Sequence, residues 1–462
     1  MILCILPIRI NGDIMKKLSL FALCFALLGT QAFAAETTYT MEEAVKKALV
    51  DNRSIISAQK SSEASKSALY SARGAFGPSV NASYGITRDS LSNFQETLSL
   101  GRDIDETTYS FGVQVRQPLF QGFQLLNQAQ KAKLQSEYDD LQLLKTNIYI
   151  VNQVQTAFLQ YLMAEESVLS AQKAVARADE QRSIATEGYQ VGIRPKIDVL
   201  QAEYELSSSE AKLIENENNL NSVRAKLNSL LNLPVEKDVN YVGKLDSIPY
   251  SITFEEAVKK AFAQLPDVKM AEKSMNMAEK DMGIALGSFL PKIDAIIQYV
   301  STGRNWKTNE TLKSYQYEPE LYLTSPLENT TIGLQATMNV FNSGQDFFKV
   351  RQAKHGVDAL KAQVELAYNN AALNVKVCLL QLQDALRTVE VSARALDSAR
   401  QFYDDAKTRY EYQIGTNLEM LTAQSDLADA ELAYISAKAN YLISLSNLYV
   451  SLGEIKPNLN AQ

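Results

Sequence analysis

Two short stretches in the first quarter of the chain alternate strictly between apolar and polar positions. Val80, Ala82, Tyr84 and Ile86 alternate with Asn81, Ser83, Gly85 and Thr87, and Tyr109, Phe111, Val113 and Val115 with Ser110, Gly112, Gln114 and Arg116. A period of two predicts a pair of strands, each with one apolar and one polar face. After Phe120 the period changes. Tyr138, Leu141, Leu144, Ile148, Val151, Val154, Phe158, Tyr161, Val168, Ala171, Val175 and Ala178 recur in steps of three and four, with one miss at Glu165. No proline falls between Leu119 and Arg194, so a helix of about 66 residues is expected from Gly122 to Glu187, about 100 Å long. Such a rod cannot bury its stripe against itself and needs neighbours along its whole length. Helices over Leu49–Ala75 and Lys196–Asn232, stacked end to end, would supply a partner of matching height.

The whole pattern occurs twice. Glu42-Glu43-Ala44-Val45-Lys46-Lys47-Ala48 returns unchanged as Glu255–Ala261, 213 residues on. Phe76, Pro78 and Ala82 match Phe289, Pro291 and Ala295 at the same offset. From Gly112 onward the offset is 221, pairing Gly112 with Gly333, Phe120 with Phe341, Tyr189 with Tyr410 and Leu200 with Leu421. The second copy accordingly predicts strands with apolar faces Ile293, Ala295, Ile297, Tyr299 and Ile332, Leu334, Ala336, Met338, Val340. A long helix over Ser343–Thr408 and a shorter one over Asn417–Leu452 complete it. All the extra length of the second copy falls between the strands of a pair, where insertion is cheap only at a solvent-facing loop tip. Arg88–Thr108 and Ser301–Asn329 are therefore expected to be exposed loops. The expected organisation is a leader over residues 1–34, a first repeat over 35–232, a linker over 233–252 bracketed by Pro234 and Pro249, a second repeat over 253–452, and a tail over 453–462.

The leader changes the setting. Lys16 and Lys17 precede the apolar run Leu18–Leu28 and then Ala32-Phe33-Ala34, a secretory signal with a small-residue cleavage site, too short to span a bilayer. Met15 is the natural start of that signal. Two of the three cysteines would leave with it, so Cys378 would be a single thiol in an oxidising compartment. A formal charge of −7 over 462 residues argues against a general nucleic-acid binder.

Outside the cytoplasm, four strands with polar faces have two readings. One is an ordinary half-buried sheet in a periplasmic coiled-coil structural or adaptor protein. The other is part of a membrane barrel, which four strands cannot close, because an open edge is not tolerated in lipid and the smallest closed barrels need about eight. Two chains would give eight strands and a filled interior; three give twelve and a lumen.

The order and duplicate spacing of several short motifs favour the second reading. They are the repeated Glu-Glu-Ala-Val-Lys-Lys-Ala, Phe76-Gly77-Pro78-Ser79-Val80, Pro118-Leu119-Phe120-Gln121-Gly122, and Tyr189-Gln190-Val191-Gly192 with Ile197-Asp198-Val199-Leu200. Tyr410 with Gly415-Thr416-Asn417-Leu418-Glu419-Met420-Leu421 closes the series. Across nearly the whole chain after the leader this resembles the TolC-like outer-membrane efflux channels. The resemblance implies a mainly α fold with a transmembrane β portion, a homotrimer with a twelve-stranded barrel in the outer membrane, and a helical barrel across the periplasm. It also implies a passive exit duct of a tripartite efflux or type I secretion system, docked on a periplasmic adaptor and an inner-membrane pump or ABC transporter. Asn339 stands where the first copy has Pro118, Phe123 replaces a glycine frequent in the family, and Tyr412-Gln413-Ile414 departs from the usual second turn.

No catalytic motif, cofactor fingerprint or metal-ligand spacing is present in the sequence. His355, the one histidine, reads as an exposed helix residue, and Cys378 as a small buried one. Asp198 and Glu419 occupy equivalent places just after the two hairpin turns. Each is either a helix-start carboxylate favoured by the macrodipole or part of a charged entrance ring. By resemblance Glu419 takes the place of the first of two entrance aspartates and Thr422 that of the second, which makes the ring less negative. Val191, Gly192 and Ile193 form the small exposed turn expected to dock the adaptor.

Overall fold

The computed structural model describes residues 38–91, 104–246, 249–307, 327–457 and 459. The leader lies outside the described residues, as do residues 92–103 and 308–326. Strand β1 (Thr38–Tyr39) leads into α1 (Met41–Asp51) and α2 (Arg53–Gly74), strands β2 (Ser79–Leu91) and β3 (Ile104–Gln121), and helices α3 (Gln124–Gln190) and α4 (Lys196–Leu230). After β4 (Asn240–Tyr241) the series repeats as α5 (Phe254–Gln264), α6 (Pro266–Leu286), β5 (Lys292–Lys307), β6 (Leu327–Thr337), α7 (Gln345–Glu411) and α8 (Asn417–Leu452).

The long helices α3 and α7 each have 67 residues, about 100 Å. Eight of the twelve apolar positions read from the sequence as the α3 stripe, from Ile148 to Ala178, are buried. Their expected neighbours exist with one correction. The helix before each strand pair is broken, at Asn52 in the first copy and at Leu265 in the second, so α1 and α5 leave the axis of the rod. Asn52 adopts an extended conformation, caps α2 by accepting from the Ser54 amide, and donates to the Leu230 carbonyl at the end of α4 at 2.9 Å. In the second copy Pro266 occupies the first turn of α6 and forces Leu265 to be extended. There the end of α8 meets the break: Gly453, at φ +74°, comes so close that a Cβ would lie 2.9 Å from Leu265 Cα. Each copy thus stacks its two shorter helices end to end. The stacked helices come to about 86 Å, nearly three turns short of the long rod.

Both broken helices start with the same device. Thr40 and Thr253 accept from the amides of Glu43 and Glu256, whose carboxylates accept in return from the threonine amides. This accounts for the shared Glu43 and Glu256 of the heptapeptide, while Ala44 and Ala48, with Ala257 and Ala261, are buried. The linker packs at mid-height, where β4 pairs in parallel with β1 and Tyr241 is fully buried among Tyr39, Phe158 and Tyr161. Its hydroxyl donates to Asn228 at 2.6 Å.

The four long strands form one antiparallel sheet in the order β2-β3-β5-β6. Its register sets Tyr84 opposite Phe111, Val113 opposite Tyr299, and Ile297 opposite Ile332, while Gln114 faces Gln298 and Asp294 faces Gln335. One face is therefore mainly apolar, interrupted by Ser301, Gly303 and Thr330, and the other mainly polar, with Ile296 and Val300 as exceptions. Val80, Tyr84, Ile86, Ile332 and Leu334 are 61–76% exposed, an apolar surface that water would not favour. On the polar face the Arg116 guanidinium pairs with Asp294, which also accepts from Gln121. The strands run farther than the sequence indicated: Arg88–Leu91, Ile104–Thr108, Ser301–Lys307 and Leu327–Asn329 are strand, and the rest of both expected loops lies outside the described residues. Conversely β6 stops at Thr337, leaving Met338 and Val340 beyond it. The outer edges of β2 and β6 have no strand partner among the described residues.

From sheet to rod the chain passes through two consecutive left-handed residues, Gly122 and Phe123 in one copy and Ser343 and Gly344 in the other. Each copy has one glycine and one costly residue, in opposite places. Gly122 is required by its surroundings, since a Cβ there would lie 2.5 Å from the Gly287 carbonyl oxygen.

Candidate channel entrance

The hairpins α3–α4 and α7–α8 turn at the end of the rods, about 100 Å of helix from the sheet. Their backbones are the same. Ile193 and Arg194 both donate to the Gly188 carbonyl, at 2.9 and 3.1 Å, as Ile414 and Gly415 do to the Arg409 carbonyl, at 3.0 and 2.9 Å. Gly192 and Gln413 hold the left-handed position, at φ +79° and +61°. The second hairpin therefore keeps the same backbone turn, and Tyr412-Gln413-Ile414 departs from the first in carrying larger side chains. Val191, Ile193, Tyr412 and Ile414 are 58–75% exposed at the tips.

What differs is a reciprocal exchange of glycine and arginine. The first copy has Gly188 and Arg194 where the second has Arg409 and Gly415. Because Gly188 has no side chain, Arg194 folds back across it: a Cβ there would lie 2.8 Å from Arg194 Cδ. The guanidinium carbon sits 3.5 Å from the ring centre of Tyr410 in the other hairpin, and Nη2 donates to the Tyr410 carbonyl at 2.9 Å. Its Nη1 lies 3.9 Å from Asp198 Oδ2. Burial pushes the Tyr410 phenol above its ordinary pKa, against the opposing field of Arg194. A second tie runs through Asn417, which accepts from Gln181 at 2.9 Å and donates to Gln201 at 3.0 Å and to the Asp198 carbonyl at 3.5 Å.

Asp198 and Glu419 begin α4 and α8 at equivalent positions but in unlike surroundings. Asp198 is partly buried against Arg194, and its helix is preceded by Pro195, which offers no side-chain cap. Glu419 is exposed and closes a capping box with Thr416, its carboxylate accepting from the Thr416 amide at 3.3 Å. Thr422, one turn on, is exposed and donates to the Leu418 carbonyl. The helix-start role is thus realised for Glu419. The Arg194 clamp was not anticipated from sequence; the Gly188/Arg409 and Arg194/Gly415 exchange between copies was the available signal. Nothing marked Gln181.

Other candidates resolve simply. His355 is exposed on α7, and no cluster of metal-binding side chains exists among the described residues. Cys378 is half-buried and burial pushes its thiol up. No described helix is long and apolar enough to cross a membrane.

The decisive comparison is with the family model for outer membrane efflux proteins, which matches residues 44–233 and again 257–454, once per repeat. The chain belongs to that family. Its place is the outer membrane, and the reading without a membrane portion is set aside. The outer membrane protein TolC of Vibrio cholerae is 21% identical over 95% of this chain and 96% of its own. The alkaline protease secretion protein AprF of Pseudomonas aeruginosa is 21% identical over 81% of this chain and 76% of its own. Among solved structures the CmeC outer membrane channel of Campylobacter jejuni superposes with a TM-score of 0.75, at 16% identity, over 89% of this chain and 85% of that one. The fold is that of these channels: a mainly helical body carrying a four-stranded sheet.

Proposed function

We propose that three copies of the chain form a passive exit duct through the outer membrane, with the sheets closing a twelve-stranded barrel and the helices a tunnel beneath it. The observation that carries this reading is the sheet itself. It is mainly apolar on one face and mainly polar on the other, and β2 and β6 have no outer partner among the described residues, so pairing the β6 edge of one copy with the β2 edge of the next satisfies every strand and leaves no edge in lipid. The helices support the same closure. Ile197, Leu200, Tyr204 and Ile214 form an exposed apolar stripe on α4, and Leu366, Leu373, Val377, Leu380 and Val391 another on α7, each suited to a neighbour's rod.

In this reading the hairpin tips are the periplasmic end. Val191, Gly192 and Ile193 dock a periplasmic adaptor, which joins the duct to an inner-membrane pump or ABC transporter. Substrate choice then rests with that inner-membrane partner. Glu419 forms a threefold carboxylate ring at the entrance, without a second ring at Thr422, and Asp198 contributes less because Arg194 faces it. Chemical crosslinking of the protein extracted from outer-membrane fractions tests the assembly: three copies are expected, and a predominant dimer or monomer would overturn it. Loss of export in a strain lacking the gene, restored by the wild-type chain, tests the conduit.

A further inference from the structure

The repeat relates β2 to β5 at an offset of 213 and β3 to β6 at an offset of 221. The same two offsets turn the β2–β3 register into the β5–β6 register pair for pair: Ser79 opposite Arg116 becomes Lys292 opposite Thr337, and Asp89 opposite Glu106 becomes Thr302 opposite Leu327. Strand pairing therefore follows the duplication. The middle seam, β3 against β5, joins the two repeats and has no second occurrence among the described residues of the chain. By the same offsets its counterpart joins β6 to the β2 of another copy. The end of β6 marks the place. In the first repeat Gln117, Pro118, Phe120 and Gln121 pair with β5 alone, around a bulge at Leu119. Their equivalents after Thr337 lie outside the strand, with Val340 and Phe341 88% and 83% exposed.

The rods obey the same relation. Within the chain α3 packs on α6, and Lys273 donates to Glu137 at 2.6 Å. The offsets turn this pair into Lys60 on α2 and Asp358 on α7, again base and acid, both exposed. The other ion pairs of the seam, Lys131 with Asp281 and Lys145 with Asp267, become Gln352 with Ala68 and Leu366 with Ser54. Where rod meets sheet, two close approaches cannot carry over unchanged. A Cβ on Gly283 would lie 2.8 Å from the Asn127 amide nitrogen, and one on Gly122 would lie 2.5 Å from the Gly287 carbonyl oxygen. The equivalents are Tyr70 against Phe348 and Ser343 against Gly74. Ser343 carries the Cβ that Gly122 lacks, and two rings, 69% and 62% exposed, replace a glycine and an amide.

We infer that the seam between copies keeps the register of the chain's own middle seam, strand for strand and rod for rod, and stands wider where rod meets sheet, with Phe348 of one copy and Tyr70 of the next filling the gap. This rests on the proposed trimer and specifies which residues meet in it. Ala336 falls opposite Tyr84 of the next copy and Leu334 opposite Ile86, apolar to apolar, while Thr337 falls opposite Ser83 on the polar face. A slip of one residue would turn the apolar positions of β2 to the polar face. A slip of two would keep the faces but drive one rod past the other by about 7 Å, parting Lys60 from Asp358. The two seams differ in charge. Asn81, Thr337 and Asn342 stand where the chain's own seam has Asp294, Arg116 and Gln121, so copies meet without burying a carboxylate, which is costly until its partner is in place.

Cysteine pairs test the register. Cys378, the one cysteine after residue 34, is first replaced by serine, and Thr337→Cys is then combined with Ser83→Cys in the full chain. Within one copy β2 and β6 are opposite edges of the sheet, about 14 Å apart, whereas a disulfide needs Cα atoms within about 7 Å, so any link joins two copies. Oxidation in outer-membrane fractions should give a reducible trimer, at least tenfold more than when Thr337→Cys is combined with Asn81→Cys or Gly85→Cys. Lys60→Glu and Asp358→Lys should each speed dissociation of the trimer in SDS several-fold, and together return it to within twofold of wild type. Loss of the pair that Lys60 makes with Glu63 in its own helix would not be rescued in this way. Phe348→Ala and Tyr70→Ala should each speed dissociation, and the double variant no more than either alone. In a protein that chemical crosslinking shows to be trimeric, no link at Ser83, a stronger link at Asn81 or Gly85, or no rescue by the double charge reversal overturns the register and leaves the duct standing; additive effects of Phe348→Ala and Tyr70→Ala overturn the contact between the rings. A protein that is not trimeric overturns both readings.

Discussion

Removing the Arg194 guanidinium should loosen the two hairpins from each other. In Arg194→Ala two interactions across the seam disappear: the guanidinium over the Tyr410 ring and the 2.9 Å bond to the Tyr410 carbonyl. With Arg194 only 11% exposed in its side chain, the ring contact is partly desolvated and contributes about 1 to 2 kcal/mol. The charged hydrogen bond contributes about 1.5 to 3 kcal/mol. The two share one side chain and do not simply add, so a loss of about 2 kcal/mol per protomer is expected, a shift of roughly 30-fold in local opening. Asp198 would also lose its counter-charge. Amide exchange measured by mass spectrometry should show peptides covering 181–201 and 406–420 exchanging faster by about that factor. Peptides of the mid-height core around Phe158 and Tyr241 should be unchanged. In planar bilayers the same variant should spend more time in conducting states. Arg194→Lys should restore little, because a lysine cannot stack on the ring and donate to the carbonyl at once. Exchange at the tips identical to wild type would refute the clamp.

Epitope tags inserted near Asn93 or Asn309 should label intact cells, as each position falls in the sequence between two paired strands; labelling only after the outer membrane is opened would reverse the topology. Gly192→Glu should abolish export yet leave the trimer in the membrane, because nothing lies within 4 Å of the new Cβ and Gln413 already holds the same left-handed conformation with a side chain; full export would remove the docking assignment. Glu419→Gln keeps the capping box and deletes the charge, so it should lower cation preference and block by multivalent cations more than Asp198→Asn, whose field Arg194 opposes. Thr422→Asp should strengthen the block. Unchanged selectivity in Glu419→Gln would leave this residue a helix cap only.

The periodicities carried most of this architecture. Residues that alternate, such as Val80 to Ile86, lie on one face of the sheet, and the stripe through Ile148, Phe158 and Ala178 is buried, because both patterns follow from backbone geometry. Pro266 marks the break at Leu265 in the sequence itself, whereas the break at Asn52 was not legible, since a helix cap in the middle of a polar stretch looks like any other asparagine. At the entrance the positions of Asp198 and Glu419 followed from the repeat, as did Arg194 beside Asp198 on the first turn, but the ties between the two hairpins did not. Those depend on Arg194 crossing Gly188 to reach a residue 216 positions away, a contact that no local pattern encodes.

The Gly188/Arg409 and Arg194/Gly415 exchange has a meaning for how such a ring could move. Six identical units would meet at six identical seams, and whatever opened one would open all. Joining two units covalently frees their tips to diverge while the shared backbone turn keeps them in step. In the proposed trimer the arginine clamp would occur at every second position around the ring, making three of the hairpins anchors and three of them held parts. In that trimer the duplication would turn a sixfold arrangement of equals into alternating hinge and leaf, in which a leaf could swing without its neighbours having to follow.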